Sequence, residues 1–181
     1  MRGLPARDGF GGHVEEALFA RAVDDRLFIR ATGHVTAALC PLLKAKCFAR
    51  LEDSAPISGI FMDLAHCEYM DSTFLGLIVG LTKKLMAKTG KKITLVATND
   101  NCIGLLKTIG VLGLVESVRE GPDFPELEGI GEGAKPSDGA SAEFLLDAHE
   151  ELAAISDSNR ARFLALNTLL RESIENRKEP G

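Results

Sequence analysis

The feature that most constrains this chain is the alternation of strand patterns with helix patterns between residues 14 and 118. Short apolar runs such as "GIFMDL" and "KKITLVAT" are typical of buried strands, and each is followed by apolar residues at helical spacing. The predicted order is β-β-α-β-α-β-α-β, in which "VEEALFARAV" and "RLFIRATG" form a hairpin around Asp24 and Asp25. This order predicts an α/β fold with a mixed, mostly parallel sheet of four to five strands and helices packed on it.

Three helices are predicted within this region. The first starts at Thr36, with Pro41 in its first turns, and the second covers "DSTFLGLIVGLTKKLMAKTG", with Gly90 as its C-terminal stop. Gly76 and Gly80 lie four residues apart in the second helix, and we expect them to allow close packing on the sheet. The third helix is "NDNCIGLLKTIGVLG", and "LVESV" is predicted as the last short strand.

The composition divides the chain into four segments. Residues 1–12 are predicted to be a flexible leader, residues 13–119 the α/β domain, residues 120–141 a linker rich in Gly and Pro, and residues 142–178 a helical extension. "SDSN" at 156–159 favours a helical hairpin or a kinked helix in the extension over a straight rod.

Apolar residues of the extension recur at steps of three and four, as in a heptad seam. The seam comprises Leu145, Ala148, Leu152, Ile155, Asn159, Arg162, Leu166 and Leu169. Such a stripe has to be buried on the domain, on a second copy of the chain or on a partner.

Charge and cysteine content exclude several classes of protein. The formal net charge is −5 at pH 7, which argues against nucleic-acid binding because such proteins usually carry a basic stripe. No run approaches the ~18 apolar residues of a membrane span, so membrane insertion is not expected. The four cysteines, at positions 40, 47, 67 and 102, form no Cys-x-x-Cys pair. We therefore expect a reduced, cytoplasmic protein with no metal and no other cofactor.

The sequence does not predict catalysis. It holds no Gly-x-Ser-x-Gly nucleophile motif and no phosphate-binding loop that ends in Gly-Lys-Ser/Thr. His66 and Cys67 are adjacent, but a Cys-His or Ser-His-acid set requires a geometry that spacing alone does not provide. We expect a protein that is not an enzyme and has no catalytic residue.

Three polar residues, Asp71, Ser72 and Thr73, stand where the long apolar helix begins. In one interpretation an acid or a hydroxyl there caps the helix, which contributes about 1 kcal/mol. In the other, Ser72 is a site of modification. The first backbone N–H groups of a helix lack partners and favour an anion, so a phosphate on Ser72 would be tolerated. It would add about −1.5 to −2 charges to the surface.

The stretch "MDLAHCEYMDSTFLGLIVGL" resembles the STAS domain family, which includes bacterial anti-sigma-factor antagonists and the tails of sulfate transporters. The residues that match the family pattern are Asp63, Met70, Asp71, Ser72, Leu75 and Gly76. The resemblance extends from about Val14 to Val118 and includes "LLKTIGVLGLVESV". The sequence departs from the pattern at Thr73, where the family has a second serine, and at Phe74, where it has glycine. His34 replaces an acid that many relatives carry after the second strand.

By this resemblance, Ser72 is the phosphoacceptor of a partner-switching regulator, and Thr73 is a candidate second acceptor. The unphosphorylated form would bind an anti-sigma factor that is also a serine kinase of the ATPase fold. Phosphorylation would break that complex, and a serine phosphatase would reset it. Asp71, Ser72, Thr73 and Phe74 would form the centre of the contact, with His34 at its rim.

Two other functions stay open at this point. The chain would be either a STAS accessory subunit docked on the ATPase of an ABC transporter, or a signalling scaffold whose C-terminal helices form a homodimer or a larger body. Acidic residues of the extension at 143, 147, 150 and 151 are also candidates to meet the lysines that end the Ser72 helix. The sequence does not decide whether the extension folds back over Ser72.

Overall fold

The first two strands are built from residues that alternate between an apolar face and a mixed face. The structure is a computed structural model, and it describes residues 16–131 and 140–178. Strand β1 (Ala17–Val23) pairs antiparallel with β2 (Arg26–Val35) through a turn in which Asp24 has a left-handed φ of 51°. Leu27 and Ile29 are fully buried on one face, as their alternation with Phe28 and Arg30 predicts.

Four further strands complete the sheet: β3 (Gly59–Met70), β4 (Thr94–Val96), β5 (Glu116–Val118) and β6 (Glu128–Ile130). Within the described residues the order is β5-β4-β3-β2-β1-β6. Strands β2 to β5 are parallel to one another, and β1 is antiparallel to both of its neighbours. The predicted mixed, mostly parallel α/β fold is confirmed, and the part of the sheet described here has one strand more than the four to five expected.

Strand β3 runs to Met70, well past the end of the predicted strand "GIFMDL" at Leu64. Its pairing with β2 is interrupted by two register shifts, one between Arg30 and Thr32 and one between Gly33 and His34. These irregularities let the backbone pairing continue through "AHCEY", whose polar residues had indicated a loop. Consequently the helix that follows starts directly at the end of a strand.

Helices connect the parallel strands: α1 (Cys40–Glu52), α2 (Ser72–Thr89) and α3 (Asp100–Ile109). Helix α1 begins four residues later than predicted, with Pro41 in its first turn. Both α2 and α3 end at a glycine in the left-handed region, Gly90 with φ 74° and Gly110 with φ 82°. Side chains of β2 and β3 form the centre of the core beneath the helices, among them Ile29, Ile60, Met62 and Leu64, all 0% exposed.

The other face of the sheet is covered in part by the segment that follows β5. The Phe28 ring stacks on Phe61 with a centroid distance of 5.7 Å and meets Phe124 edge-on at 5.2 Å. Farther along, β6 lies within the Gly- and Pro-rich segment 120–141 and pairs with β1, where Leu18 is opposite Ile130. This segment therefore contributes to the domain in addition to leading to the extension.

The extension is a hairpin of two helices, α4 (Ala142–Ala153) and α5 (Asp157–Lys178). The Ser141 hydroxyl accepts from the Phe144 N–H at the start of α4, and the Ser156 hydroxyl accepts from the Asn159 N–H at the start of α5. The predicted second helix is thus present, with a cap supplied by "SDSN".

The predicted heptad seam is confirmed as far as Asn159, the first buried residue of α5, and is wrong beyond it. Helix α5 buries Asn159, Phe163, Asn167 and Ile174, whereas Leu166 and Leu169 are 39% and 63% exposed. After Asn159 the buried positions fall one residue later than predicted, at Phe163 and Asn167 in place of Arg162 and Leu166.

Candidate functional site

The Asp71 carboxylate joins the start of α2 to the loop that follows β2. Its Oδ1 accepts from the Phe74 N–H at 2.9 Å, and its Oδ2 accepts from the Ala37 N–H at 2.8 Å. The Asp71 N–H in turn donates to the Val35 carbonyl at 3.0 Å. Asp71 is therefore the N-cap of α2, and Ser72, interpreted above as one candidate for that cap, is the first helical residue. The Ser72 hydroxyl is left available for another partner.

That partner is His149 of α4, a residue that the sequence did not connect with Ser72. The Ser72 Oγ lies 2.8 Å from His149 Nε2, and His149 is only 4% exposed. Burial lowers the pKa of His149 below its ordinary value, an effect partly offset by the Leu145 carbonyl and by the charge of Asp71. A neutral imidazole is thus favoured, and in the tautomer with its proton on Nδ1 the Ser72 hydroxyl donates to Nε2.

Close contact between α2 and α4 depends on a glycine. A Cβ atom added at Gly76 would overlap the backbone of Ala148, at the carbonyl oxygen above all. At Gly80, one turn later, an added Cβ would meet only the side chain of Glu151, at 3.8 Å from its Cγ. The expectation that these two glycines allow packing on the sheet is wrong, because both point towards the extension.

The remaining residues predicted for the site divide into buried and exposed ones. Thr73 is 4% exposed and the Phe74 ring is fully buried, so the ring at the family's glycine position belongs to the core. His34 is exposed, lies 3.3 Å from Glu68 and has its ring 5.8 Å from that of Tyr69, which is 44% exposed. Asp71, Ser72 and His34 thus lie around one end of α2, while Thr73 and Phe74 face inwards.

A signal for the covering helix was present in the sequence. Every residue of α2 from Thr73 to Val79 is buried. A helix that is apolar on all sides must be covered on all sides, and a sheet covers only one of them. "TFLGLIV" therefore indicated a second layer over α2, although it did not indicate which segment supplies that layer.

The charges predicted to meet across the two segments do so in part. Lys83 of α2 pairs with Glu151 of α4, and Lys44 of α1 lies 3.2 Å from Asp147. Deeper in the contact, Asn159 of α5 donates to the Ile109 carbonyl at 2.8 Å and to the Leu152 carbonyl at 3.0 Å. The hairpin is thus held to the domain by apolar packing, by amide hydrogen bonds and by exposed ion pairs.

A serine hydroxyl beside a neutral imidazole is the arrangement of a nucleophile and its base. A cavity of about 650 Å³ lies between α1, α2 and α4, and neither Ser72 nor His149 lines it. Among residues 16–131 and 140–178, no group of three or more His, Cys, Asp or Glu side chains is placed to hold a metal ion. No helix in these ranges is long and apolar enough to cross a bilayer.

Comparison with known proteins identifies the part of the chain that forms most of the sheet. The family model of the STAS domain matches residues 18–123, more than half of the chain. The match includes Asp71 and Ser72 and ends before α4, so His149 lies outside it. No curated protein matches the sequence.

Solved structures similar to this chain include the anti-sigma factor antagonist SpoIIAA. Its unphosphorylated form is 16% identical over 57% of this chain and 89% of that one, with a TM-score of 0.49. The phosphorylated form of SpoIIAA, a Bacillus cell fate determinant, is 17% identical over 57% and 92% of the two chains, with a TM-score of 0.47. TM1081 from Thermotoga maritima is 23% identical over 63% and 90%, with a TM-score of 0.49.

Proposed function

Because the chain belongs to the STAS domain family, we propose that it is a partner-switching regulator of the anti-sigma-factor-antagonist type, controlled by phosphorylation of Ser72. The observation that carries this proposal is the position of Ser72. It is the first residue of α2, and its hydroxyl is not used to cap the helix because Asp71 does so. A phosphate on this hydroxyl would lie near the positive end of α2, where its own chain tolerates it.

The proposed switch is electrostatic. A partner fitted to the neutral Ser72 hydroxyl would meet a phosphate with about −1.5 to −2 charges after modification. The neighbouring Asp71 carboxylate adds a like charge and is fixed in place by two backbone N–H groups. Repulsion and desolvation of about 3 kcal/mol would weaken the complex roughly a hundredfold.

The partner is proposed to be an anti-sigma factor that is also a serine kinase of the ATPase fold. In the transfer step, a bond forms between Ser72 Oγ and the γ-phosphorus of ATP, and the bond from that phosphorus to the bridging oxygen of ADP breaks. The hydroxyl proton passes to a base of the kinase, and a serine phosphatase later hydrolyses the phosphoester with water. The chain itself would be a cytoplasmic substrate and ligand in this cycle, not an enzyme.

The partner surface would be the start of α2 with the residues around it. Asp71 and Ser72 form its centre, and His34 and Tyr69 lie at its rim. Thr73 and Phe74 are buried and would contribute only by shaping the helix start.

The test is a paired pull-down from a lysate of the native organism, with full-length Ser72→Ala and Ser72→Asp chains as baits. We expect the alanine bait to recover a kinase of the ATPase fold and the aspartate bait to lose it. The matched control is Ser54→Asp, because exposed Ser54 also follows an aspartate, Asp53, but lies in the loop after α1. This control should keep the partner. The recovered kinase, incubated with ATP and wild-type chain, should place phosphate on Ser72.

Other outcomes would support the alternative functions. Equal recovery of one partner by both Ser72 baits would contradict the proposed switch. A transporter ATPase among the recovered proteins would favour a docking subunit, and recovery of the chain's own copies alone would favour a homo-oligomeric scaffold. The latter has some structural support, because Leu164 and Leu169 of α5 are 60% and 63% exposed.

A further inference from the structure

The proposed phosphoacceptor lies under a segment that is not part of the STAS domain. The atom that would receive the phosphate, Ser72 Oγ, is 2.8 Å from the buried ring of His149. A phosphoryl group needs space beyond this oxygen, and a kinase needs to reach it. While His149 stays where it is, its ring occupies part of the space around this oxygen, and Ser72 is half-buried.

The His149 ring is almost fully buried, and the helix that carries it is packed tightly on α2. The next residue before it, Ala148, has its backbone against Gly76, where no side chain fits. One turn later, Leu152 is 0% exposed and belongs to the hydrophobic core. Access to Ser72 therefore requires α4 to leave the surface of α2 as a unit.

The contacts that surround this interface are of a kind that can be broken reversibly. Lys83 and Glu151 have side chains that are 52% and 34% exposed, and Lys44 and Asp147 are 27% and 63% exposed. Ion pairs at this exposure each contribute little to stability. They favour correct docking of the helix without fixing it permanently.

We propose that the α4–α5 hairpin is an autoinhibitory element that occupies the Ser72 face of the domain and competes with the partner for it. The occupied state is the one in the structure, with His149 bonded to Ser72. In the open state the hairpin is displaced, and Ser72, Asp71 and the start of α2 are exposed. This inference rests on the proposed function for the identity of the competitor, whereas the closed state itself is tested without any partner.

The experiment measures access to position 72 through a thiol. In the full-length Ser72→Cys chain, modification by N-ethylmaleimide is followed by mass spectrometry of the peptide that contains residue 72. The four native cysteines provide the baseline, since all are 0% exposed and burial raises the pKa of the Cys40 and Cys47 thiols. Slow modification of Cys at position 72 is expected in this parent chain.

Adding Gly76→Ala should open the hairpin, because the new methyl group overlaps the Ala148 backbone. The same change improves the intrinsic helix propensity of α2, so it does not act by weakening that helix. We expect the modification rate at position 72 to rise about tenfold or more, which corresponds to ~1.4 kcal/mol. Gly80→Ala is the matched control, since its methyl group makes only an ordinary contact with Glu151, and it should leave the rate unchanged.

A second variant tests whether the effect of Gly76→Ala arises from misfolding of the domain. Leu152→Asp places a charge in the interface from the side of the hairpin and leaves residues 16–131 unaltered. It should raise the rate at position 72 as Gly76→Ala does. Rapid modification in the parent chain would overturn the inference, as would unchanged slow rates in both opened variants.

The two proposals fail in different ways. If Gly76→Ala exposes position 72 but Ser72 is never phosphorylated and no kinase is recovered, the proposed function is wrong and the closed state stands. If the recovered kinase phosphorylates Ser72 equally fast in the wild-type and Gly76→Ala chains, the hairpin is not inhibitory and the partner switch stands.

Discussion

Two helices of this protein start in nearly the same way and differ in what covers them. Both α2 and α3 follow a strand of the parallel sheet and are capped by a side chain of the Asp/Asn type. Asp71 Oδ1 accepts from the Phe74 N–H, and Asn99 Oδ1 accepts from the Cys102 N–H at 3.0 Å. Each capping side chain also uses its second polar atom, Asp71 as an acceptor from Ala37 and Asn99 as a donor to the Cys67 carbonyl.

The residues just after the two caps have opposite environments. Asp100, the first residue of α3, is exposed and lines an open cavity of about 500 Å³. Ser72, the first residue of α2, is half-buried and bonded to His149. Since both helices have the same kind of cap, the difference in exposure of their first residues comes from the hairpin that follows the domain. The α4–α5 hairpin covers the start of α2, which lies in the STAS domain, and leaves the first residue of α3 exposed.

Exchanging the two capping side-chain types, Asp at position 71 and Asn at position 99, should disrupt the capping arrangement that α2 and α3 share. We expect this change to have the largest effect on stability. Asp71→Asn offers one oxygen where two backbone N–H groups need acceptors, and Asn99→Asp places a carboxylate oxygen against the Cys67 carbonyl. We expect each variant to lower the free energy of unfolding by about 1–3 kcal/mol, the cost of a polar group left without its partner. Urea denaturation followed by circular dichroism measures this.

The control for the exchange is Asn101→Asp, an exposed position of α3, where a change within about 0.5 kcal/mol is expected. If Asp71→Asn were as stable as the wild type, the carboxylate could not be holding both the helix start and the loop after β2. The interpretation that α2 and α3 start with the same capping arrangement would then be wrong for α2.

The part of the fold that could be predicted from the sequence is the part determined by periodicity. Most of the strands and helices from Arg26 to Val118, the joint at Ser72 and the two-helix extension follow from local spacing and caps. Strand β6 did not, because "EGI" is three residues long, lies among glycines and prolines, and is ordered by pairing with β1. The second half of β3 was missed for a related reason, since its pairing continues through register shifts.

The sequence predicted that Asp71 and Ser72 stand at the start of a helix, but it did not predict the contact between Ser72 and His149. Asp71 and Ser72 are neighbours in sequence, whereas His149 lies 77 residues after Ser72. A local sequence pattern does not indicate a contact between residues that lie so far apart in the chain. The all-round apolar character of α2 implied a cover, but not which residue of the cover would reach the hydroxyl.

Lowering the pH should weaken the docking of the hairpin on the start of α2 and leave the start of α3 unchanged. His149 titrates with its ordinary pKa near 6.5 when the hairpin is displaced, and with a lower pKa when it is docked and buried. The displaced state therefore binds more protons below about pH 6.5, and docking, fully effective above that pH, weakens as the pH falls. Amide exchange of residues 142–153, measured from pH 8 to pH 5.5 and corrected for intrinsic rates, should show protection decreasing in this range.

His149→Gln is the variant that separates this effect from other titrations, because glutamine does not ionise and its amide can still bond to Ser72. Groups around the ring in the docked state are Ser72, the Leu145 carbonyl, the Asp71 carboxylate and the Phe163 ring at 5.4 Å. The pH-dependent part of α4 protection should be absent in His149→Gln. If the same loss of protection persisted there, His149 would not be its source.

The smallest expected effect concerns two adjacent lysines of α2 that pair with different neighbours. Lys83 pairs with Glu151 of the hairpin, and Lys84 pairs with Glu52 of α1, within the domain. Methionine keeps most of the apolar stem and removes the charge, so Lys83→Met should weaken docking by at most about 1 kcal/mol, or roughly fivefold in the protection of residues 142–153. Lys84→Met should leave this protection unchanged, although Lys84 is only one residue farther along the chain from Ser72 than Lys83 is.

Because exposed ion pairs are screened by salt, the difference between the Lys83→Met and Lys84→Met variants should shrink in about 1 M salt, where the Debye length is ~3 Å. Equal effects of the two lysines at low salt would mean that net charge, and not the contact between α2 and α4, sets the position of the hairpin.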